Sequence, residues 1–352
     1  MDKYLAHILL SMYQIPANTG QIYNVTIGRS TPTILYLTEV NGWKLYYGTL
    51  PGLKRNQVEA CQEFFLKRAW LKPHEEKFVL SKQGQSQLDQ YFADHSPLRE
   101  KGTFLTFPYY RYFWQMVQFM TQVVSEKTHA NKHYLPLKSD LKSQIFVKSV
   151  KSSVQDFEAS WMKEQGLLLS QVQDQAARIL ANTLTGHDLF GLTLDQLARF
   201  LSWEKGEIYW VFHQACAYYL SLLDQEGQSF PLHRKLLKYT NQVQTYGLTQ
   251  SAYQTFRLMV KRKSLDKIAQ IKGVKPATIK EHYLEIAFKL PQVELTYLVP
   301  DQIRRELLDF FAQNPTPRYA QAKDQLGELE FYHYRLIELE LIRQWPWIYK
   351  LY

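Results

Sequence analysis

Cysteine is scarce in this chain: Cys61 and Cys216 are the two among 352 residues, far apart, with no CxxC and no histidine at metal-ligand spacing. Neither a disulfide framework nor a zinc ribbon is expected, and both thiols read as small buried hydrophobes. His129 and His133 stand four apart, yet no third ligand lies near them, which favours surface histidines over a metal site. Long apolar runs are missing as well. No window approaches the roughly 18 uninterrupted apolar residues that a membrane helix needs. The opening stretch MDKYLAHILLSMYQIPA sets an acid beside its lysine and breaks its apolar run at His7, Ser11 and Gln14, which fits an amphipathic first helix better than a signal peptide. The expectation is a reducing, cytoplasmic setting without a membrane partner, in which Asn24-Val25-Thr26 is a chance glycosylation sequon.

Catalytic signatures are absent too. There is no phosphate loop of the G-x4-G-K-Ser/Thr form and no DExx box, so the chain cannot by itself be a nucleotide-driven motor. HExxH pairs, GxSxG elbows and GxGxxG turns are also lacking. The reading is a protein that is not an enzyme, with no catalytic residues, no cofactor and no small-molecule substrate.

What the chain has is apolar surface and unevenly placed charge. Hydrophobic residues make up 45%, enough for real cores in two or three domains. The net charge of +9 favours polyanionic partners. Residues 101–151 hold eight basic and two acidic residues, residues 153–230 four and ten, and residues 247–290 nine and three. An acidic segment between two basic ones argues for distinct surfaces. The acidic one reads as a solvated face, or as a dock for a basic partner.

Turn residues and periodicity suggest a mainly α protein in three blocks. Residues 1–97 read as a winged-helix-like domain. Thr31-Pro32 opens a helix, Gly48 to Gly52 break the chain, and Val58, Cys61, Phe65 and Ala69 mark one helical face. A short strand at Lys77 to Leu80 and a helix after Gly84 close the block, for DNA contact or for packing alone. Residues 98–246 read as an all-helical middle domain, with Thr193 and Gln196 as a capping box. Its PYYRYFWQMVQFM aromatics with Arg111 suit a core, or stacking on single-stranded bases. Residues 247–352 form the last block, with helices expected after Pro300 and over GELEFYHYRLIELELIR as partners of the motif that follows.

That motif is SLDKIAQIKGVKPATIKEHYLEIAFK, Ser264 to Lys289, which meets each demand of a helix-turn-helix. Ser264 caps the first helix, Leu265, Ile268 and Ala269 make its inner face, Gly273 and Val274 turn the chain, and Pro276 sits in the first turn of the second helix. Ile279, Tyr283 and Ile286 recur as its buried stripe, leaving Lys275, Thr278, Lys280, Glu281 and His282 outward. Arg257, Lys261, Arg262, Lys263 and Lys272 flank them. The candidate DNA-binding residues are therefore Lys261, Arg262, Lys263, Lys272, Lys275, Thr278, Lys280 and His282. A lysine-weighted set favours phosphate positioning over strict base readout.

The spacing also resembles the LuxR-type helix-turn-helix, which commonly has serine where Lys275 stands. A closer resemblance runs from SAYQTFRLMVKRKSLDKIAQ through YLVPDQIRRELLDFF to YAQAKDQLGELEFYHYRLIELELI. This looks like the helicase-associated helix-turn-helix domain at the ends of some RecQ-type helicases and in the Firmicute YpbB family. The runs IGRSTPTILYLTEVNGWKLYYGTLPGLKR and KHYLPLKSDLKSQIFVKSV are similar to YpbB too. That family is encoded beside a RecQ-like helicase in many members and carries no catalytic residues over. The resemblance implies a DNA-binding accessory protein acting with a RecQ-like helicase in DNA repair or recombination. A sequence-specific transcriptional regulator and an interaction scaffold without DNA contact are the alternatives.

Overall fold

The computed structural model describes residues 2–95, 103–225, 229–314 and 317–344. Among these the chain is mainly helical, as the periodicity suggests. It begins with α1 (Lys3–Ser11), α2 (Thr19–Thr26), α3 (Pro32–Val40) and α4 (Arg55–Lys67). Two strands, β1 (Leu71–His74) and β2 (Lys77–Leu80), and α5 (Lys82–Asp94) follow. The middle of the chain supplies α6 (Phe107–Thr128), α7 (Leu141–Ser152), α8 (Phe157–Gln171), α9 (Asp174–Asn182), α10 (Leu194–Leu201), α11 (Lys205–Gln225) and α12 (Pro231–Val243). The last helices are α13 (Gln250–Val260), α14 (Leu265–Lys272), α15 (Pro276–Lys289), α16 (Asp301–Gln313), α17 (Tyr319–Leu326) and α18 (Phe331–Gln344).

Packing gathers these into two compact units, and the division differs from the blocks drawn on turn residues. One unit is Met1–Gly28 with Leu45–Gln244; the other is Arg29–Lys44 with Thr245–Tyr352. The short helix α3 thus leaves its sequence neighbours and joins the C-terminal helices.

In the first unit, α1 is capped by Asp2, whose carboxylate accepts from Leu5 N at 3.2 Å and from Gly206 N, in the first turn of α11, at 3.0 Å. One acidic side chain thereby satisfies orphan amides of two helices. Strands β1 and β2 pair antiparallel, Leu71 opposite Leu80 and His74 opposite Lys77. Gly84 lets α5 start against them: a Cβ there would lie 2.1 Å from the Trp70 carbonyl oxygen. The expected face of α4 holds at Val58, Cys61 and Phe65, all buried. It fails at Ala69, which lies past the helix end, exposed and left-handed at φ 54°, while Trp70 turns inward instead.

The aromatics of α6 form the core of this unit rather than a stacking surface, since Tyr109, Tyr110, Phe113 and Trp114 are each no more than 2% exposed. Trp114 donates to Thr183 Oγ1 at 2.7 Å, so its one polar atom is partnered. The capping box of α10 is present, with Thr193 and Gln196 side chains each bonded to the other's backbone. Both cysteines are free and buried.

In the second unit, α13, α14 and α18 pack on α15, and α3 packs on it as well. α16 rests on α18 rather than on the motif. α17 is a third helix beyond the two expected; its sequence YAQAKDQL buries Ala322 alone, too little apolar periodicity to announce it.

Candidate nucleic-acid interface

The helix-turn-helix forms as its residues dictate. Ser264 Oγ accepts from Lys267 N and starts α14. Gly273 ends it in the left-handed region at φ 63°, where a side chain would be strained. Val274 N then returns to Ala269 O at 3.1 Å. Pro276 occupies the first turn of α15, whose N-cap, Lys275, supplies no side-chain hydrogen bond. Inside, Ile268, Ile279 and Ile286 are fully buried, with Ala269 and Tyr283 beside them. Ala269 is the small residue that lets α14 approach α15.

The eight candidate contact residues separate into three groups. Lys261, Arg262, Lys263 and Lys275 are exposed and make no side-chain hydrogen bond or ion pair among the described residues. Arg262 ends α13 in the left-handed region at φ 56°, a position that turns the basic run away from the helix. Thr278 and Lys280 are half-buried on the first turns of α15; Lys280 Nζ is 2.5 Å from Glu330 Oε1 and sits over the Tyr332 ring at 5.5 Å. One further cation of the first helix, Lys267, is exposed with its Nζ 2.9 Å from Gln270 Oε1.

Lys272 and His282 turn inward, and for His282 this corrects the outward placement read from spacing. His282 is 8% exposed, with its Nδ1 2.8 Å from Thr255 Oγ1. Lys272 Nζ donates to the same Thr255 oxygen at 3.0 Å, to Ser251 Oγ at 3.1 Å and to the Ser251 carbonyl. An ammonium only donates, so Thr255 Oγ1 accepts from Lys272 while sharing a hydrogen bond with His282 Nδ1. Burial, then the Lys272 charge, hold the His282 pKa below the ordinary histidine value. These four residues clip α13, α14 and α15 together from within.

A second polar hub lies under the other end of α15. Glu285 and Lys289 are buried and 3.2 Å apart. Lys289 also donates to Ser30 Oγ at 2.6 Å and to the Gly247 carbonyl at 2.7 Å, while Glu285 accepts from Thr249 N at 2.7 Å and Thr249 Oγ1 at 2.8 Å. Such a pair is tolerated because its remaining hydrogen-bonding capacity is met. Arg343 donates to the Ala287 and Phe288 carbonyls, both at 3.0 Å, and satisfies the end of α15. Arg343 also lies 3.6 Å from Glu39 on α3. Tyr36 of α3 donates to Glu338 at 2.9 Å, and the Arg335 guanidinium stacks over its ring at 3.4 Å. Burial outweighs Arg335 and Tyr36 and pushes the Glu338 carboxyl up to about 7. No sequence pattern pointed to α3 as part of this domain, because its partners are side chains some 250 to 300 positions away.

Two helices joined by a left-handed glycine turn and packed with α13, with a basic rim at their open side, define a helix-turn-helix domain, and residues 251–338 match the family described as "Helix-turn-helix domain". The match spans α13 to α18 and leaves out α3. Over 309 residues, 85% of each chain, the protein is 24% identical to Protein YpbB of Bacillus subtilis (strain 168), so the likeness read from the sequence extends over most of its length. No solved structure matches it. No helix among the described residues is long and apolar enough to cross a membrane.

Proposed function

We propose that this chain is a non-catalytic, cytoplasmic DNA-binding accessory protein that acts with a RecQ-like DNA helicase, supplied by another chain, in repair or recombination. The observation that carries the DNA-binding part is the open basic rim of the helix-turn-helix, Lys261, Arg262, Lys263 and Lys275, beside a recognition helix whose first turns remain uncovered. Lysines and an arginine without base-reading amides or a polar N-cap grip phosphates, so the domain engages duplexes of many sequences. The helicase part is supported by the likeness to YpbB and by the resemblance of the motif to helicase-associated domains. The α4–β1–β2–α5 run fits a winged-helix-like module that contacts protein rather than DNA.

Two measurements test this. Replacing Lys261, Lys263 and Lys275 together with alanine is expected to weaken duplex binding about equally for unrelated sequences and to lower the log-log salt slope by roughly 0.9 per lost phosphate contact. One duplex preferred by orders of magnitude would identify a transcriptional regulator instead, and absence of salt-sensitive binding would identify a scaffold. Helicase recovered with the tagged protein from its native cell, after nuclease treatment, is the expected sign of a direct partner; its loss on nuclease treatment would overturn that part.

A further inference from the structure

Helices α7 and α12 pack side by side in the first unit. Together they carry Lys142, Lys148, Lys151, Arg234, Lys235 and Lys238, and no aspartate or glutamate. Lys151 is half-buried and the other five are exposed. A cleft of about 380 Å³ opens between the two helices, with Ser149 and Ser153 on one wall and Lys235 and Lys238 on the other. Phe146 and Tyr239 also line it and stack on each other, ring centroids 4.1 Å apart and planes within 11°. Lys235 Nζ lies 3.3 Å from Ser153 Oγ, so cation and hydroxyl already converge on one point.

The acids around these helices stand outside the cleft. Asp140 caps α7 by accepting from Ser143 N at 2.9 Å, and Glu164 is buried and accepts from Leu232 N and His233 N at the start of α12. Asp156 precedes α8, Glu158 is paired with Lys127 at 2.5 Å, and Asp224 interacts with Arg234. None of them lines the cavity. Cations with neutral hydroxyl donors and no carboxylate are the set that contacts phosphate oxygens, and the half-buried Phe146–Tyr239 pair puts aromatic surface beside them, the combination of single-strand grooves. The cleft is an open groove along two helices, a form that tracks an extended single strand.

We infer that the α7–α12 cleft binds the phosphate backbone of single-stranded nucleic acid, as a site separate from the helix-turn-helix. An anionic lipid surface is the competing class, since Leu141 and Ile145 on α7 are 69% and 56% exposed. The concave form of the site and its hydroxyls favour the nucleic acid.

The test uses the full chain and a fluorescent oligothymidylate of about 30 nucleotides, long enough to span more than one binding site of this kind. Lys235→Glu with Lys238→Glu is expected to weaken oligothymidylate binding by roughly tenfold or more, while duplex affinity changes less than about twofold. The milder Lys235→Ala with Lys238→Ala pair is expected to lower the single-strand salt slope by roughly 1.4, about 0.7 per phosphate. Lys261→Glu with Lys263→Glu is expected to do the reverse, so a failure of the duplex reading leaves this one separately measurable. Unchanged oligothymidylate affinity in both Lys235/Lys238 variants would overturn the site. So would selective loss of binding to phosphatidylglycerol-containing vesicles with oligothymidylate binding intact, which would reassign the cleft to lipid.

Discussion

The two halves of α15 are built for opposite purposes. From Pro276 to Glu281 only Ile279 is buried, whereas every residue from His282 to Leu290 is. α3 and α18 close over the second half, and its polar groups are consumed internally: Glu285 with Lys289, His282 with Thr255, and the last carbonyls with Arg343. A helix free along its length could lie deep in a groove. This one exposes its first two turns and the basic run before it, the end at which recognition helices approach bases, and keeps the rest for the fold.

The largest effect is expected at the buried end. Lys289→Met leaves Glu285 charged and unpaired in the interior, and a loss of about 3–5 kcal/mol in urea unfolding of the second unit is expected. An unchanged midpoint would mean the pair is not buried as described. Next in size is the junction between α14 and α15, where Ala269→Leu is expected to cost about 1–3 kcal/mol by overpacking; wild-type stability would show the wrong residue placed at the contact. At the open end, Lys275→Ala is expected to leave unfolding unchanged and to reduce the duplex salt slope by roughly 0.9, a single phosphate contact.

The smallest effects concern pH. A histidine held below its ordinary value, as His282 is, favours the fold at neutral pH and loses that contribution as pH falls below about 6.5. His282→Gln keeps a hydrogen-bond partner for Thr255, and its unfolding midpoint is expected to fall less between about pH 7.5 and 5.5 than that of the wild type. Glu338, pushed up to about 7, has the opposite sign: its contribution is complete at acid pH and is lost as pH rises through that value. Glu338→Gln is therefore expected to gain on the wild type as pH rises from 5 to 8, about the range that brackets the shift. Equal slopes for variant and wild type in either case would remove the group from the pH response.

The motif itself was legible because each of its parts is a local rule. Serine at a cap, glycine at a left-handed turn, proline in a first turn and an apolar stripe at helical spacing are all written within a few residues of one another. His282 was misplaced because angle around a helix tells only where a side chain starts, not what third helix stands opposite. Lys272 shows the same limit, since a flexible lysine is drawn back to hydroxyls on α13 that spacing cannot reveal. The α7–α12 cations escaped because each helix contributes only three of them, and the cleft exists only when segments some 90 residues apart lie together. The basic segment 101–151 holds the three α7 lysines, but residues 231–246, three basic and no acidic, lie outside the counted segments.

The placement of α3 sets a waiting time during synthesis. Residues 29–44 leave the ribosome about 200 residues ahead of the rest of their unit, which resumes only at Thr245. At roughly 5–20 residues per second the interval is on the order of 10–40 s. Throughout it, α3, whose Ile34 and Leu35 end no more than 8% exposed, lacks α15, the helix it packs on. A translational pause that lengthens this interval should raise aggregation of the nascent chain, while residues 29–44 supplied as a peptide should stabilise a fragment that begins at Thr245.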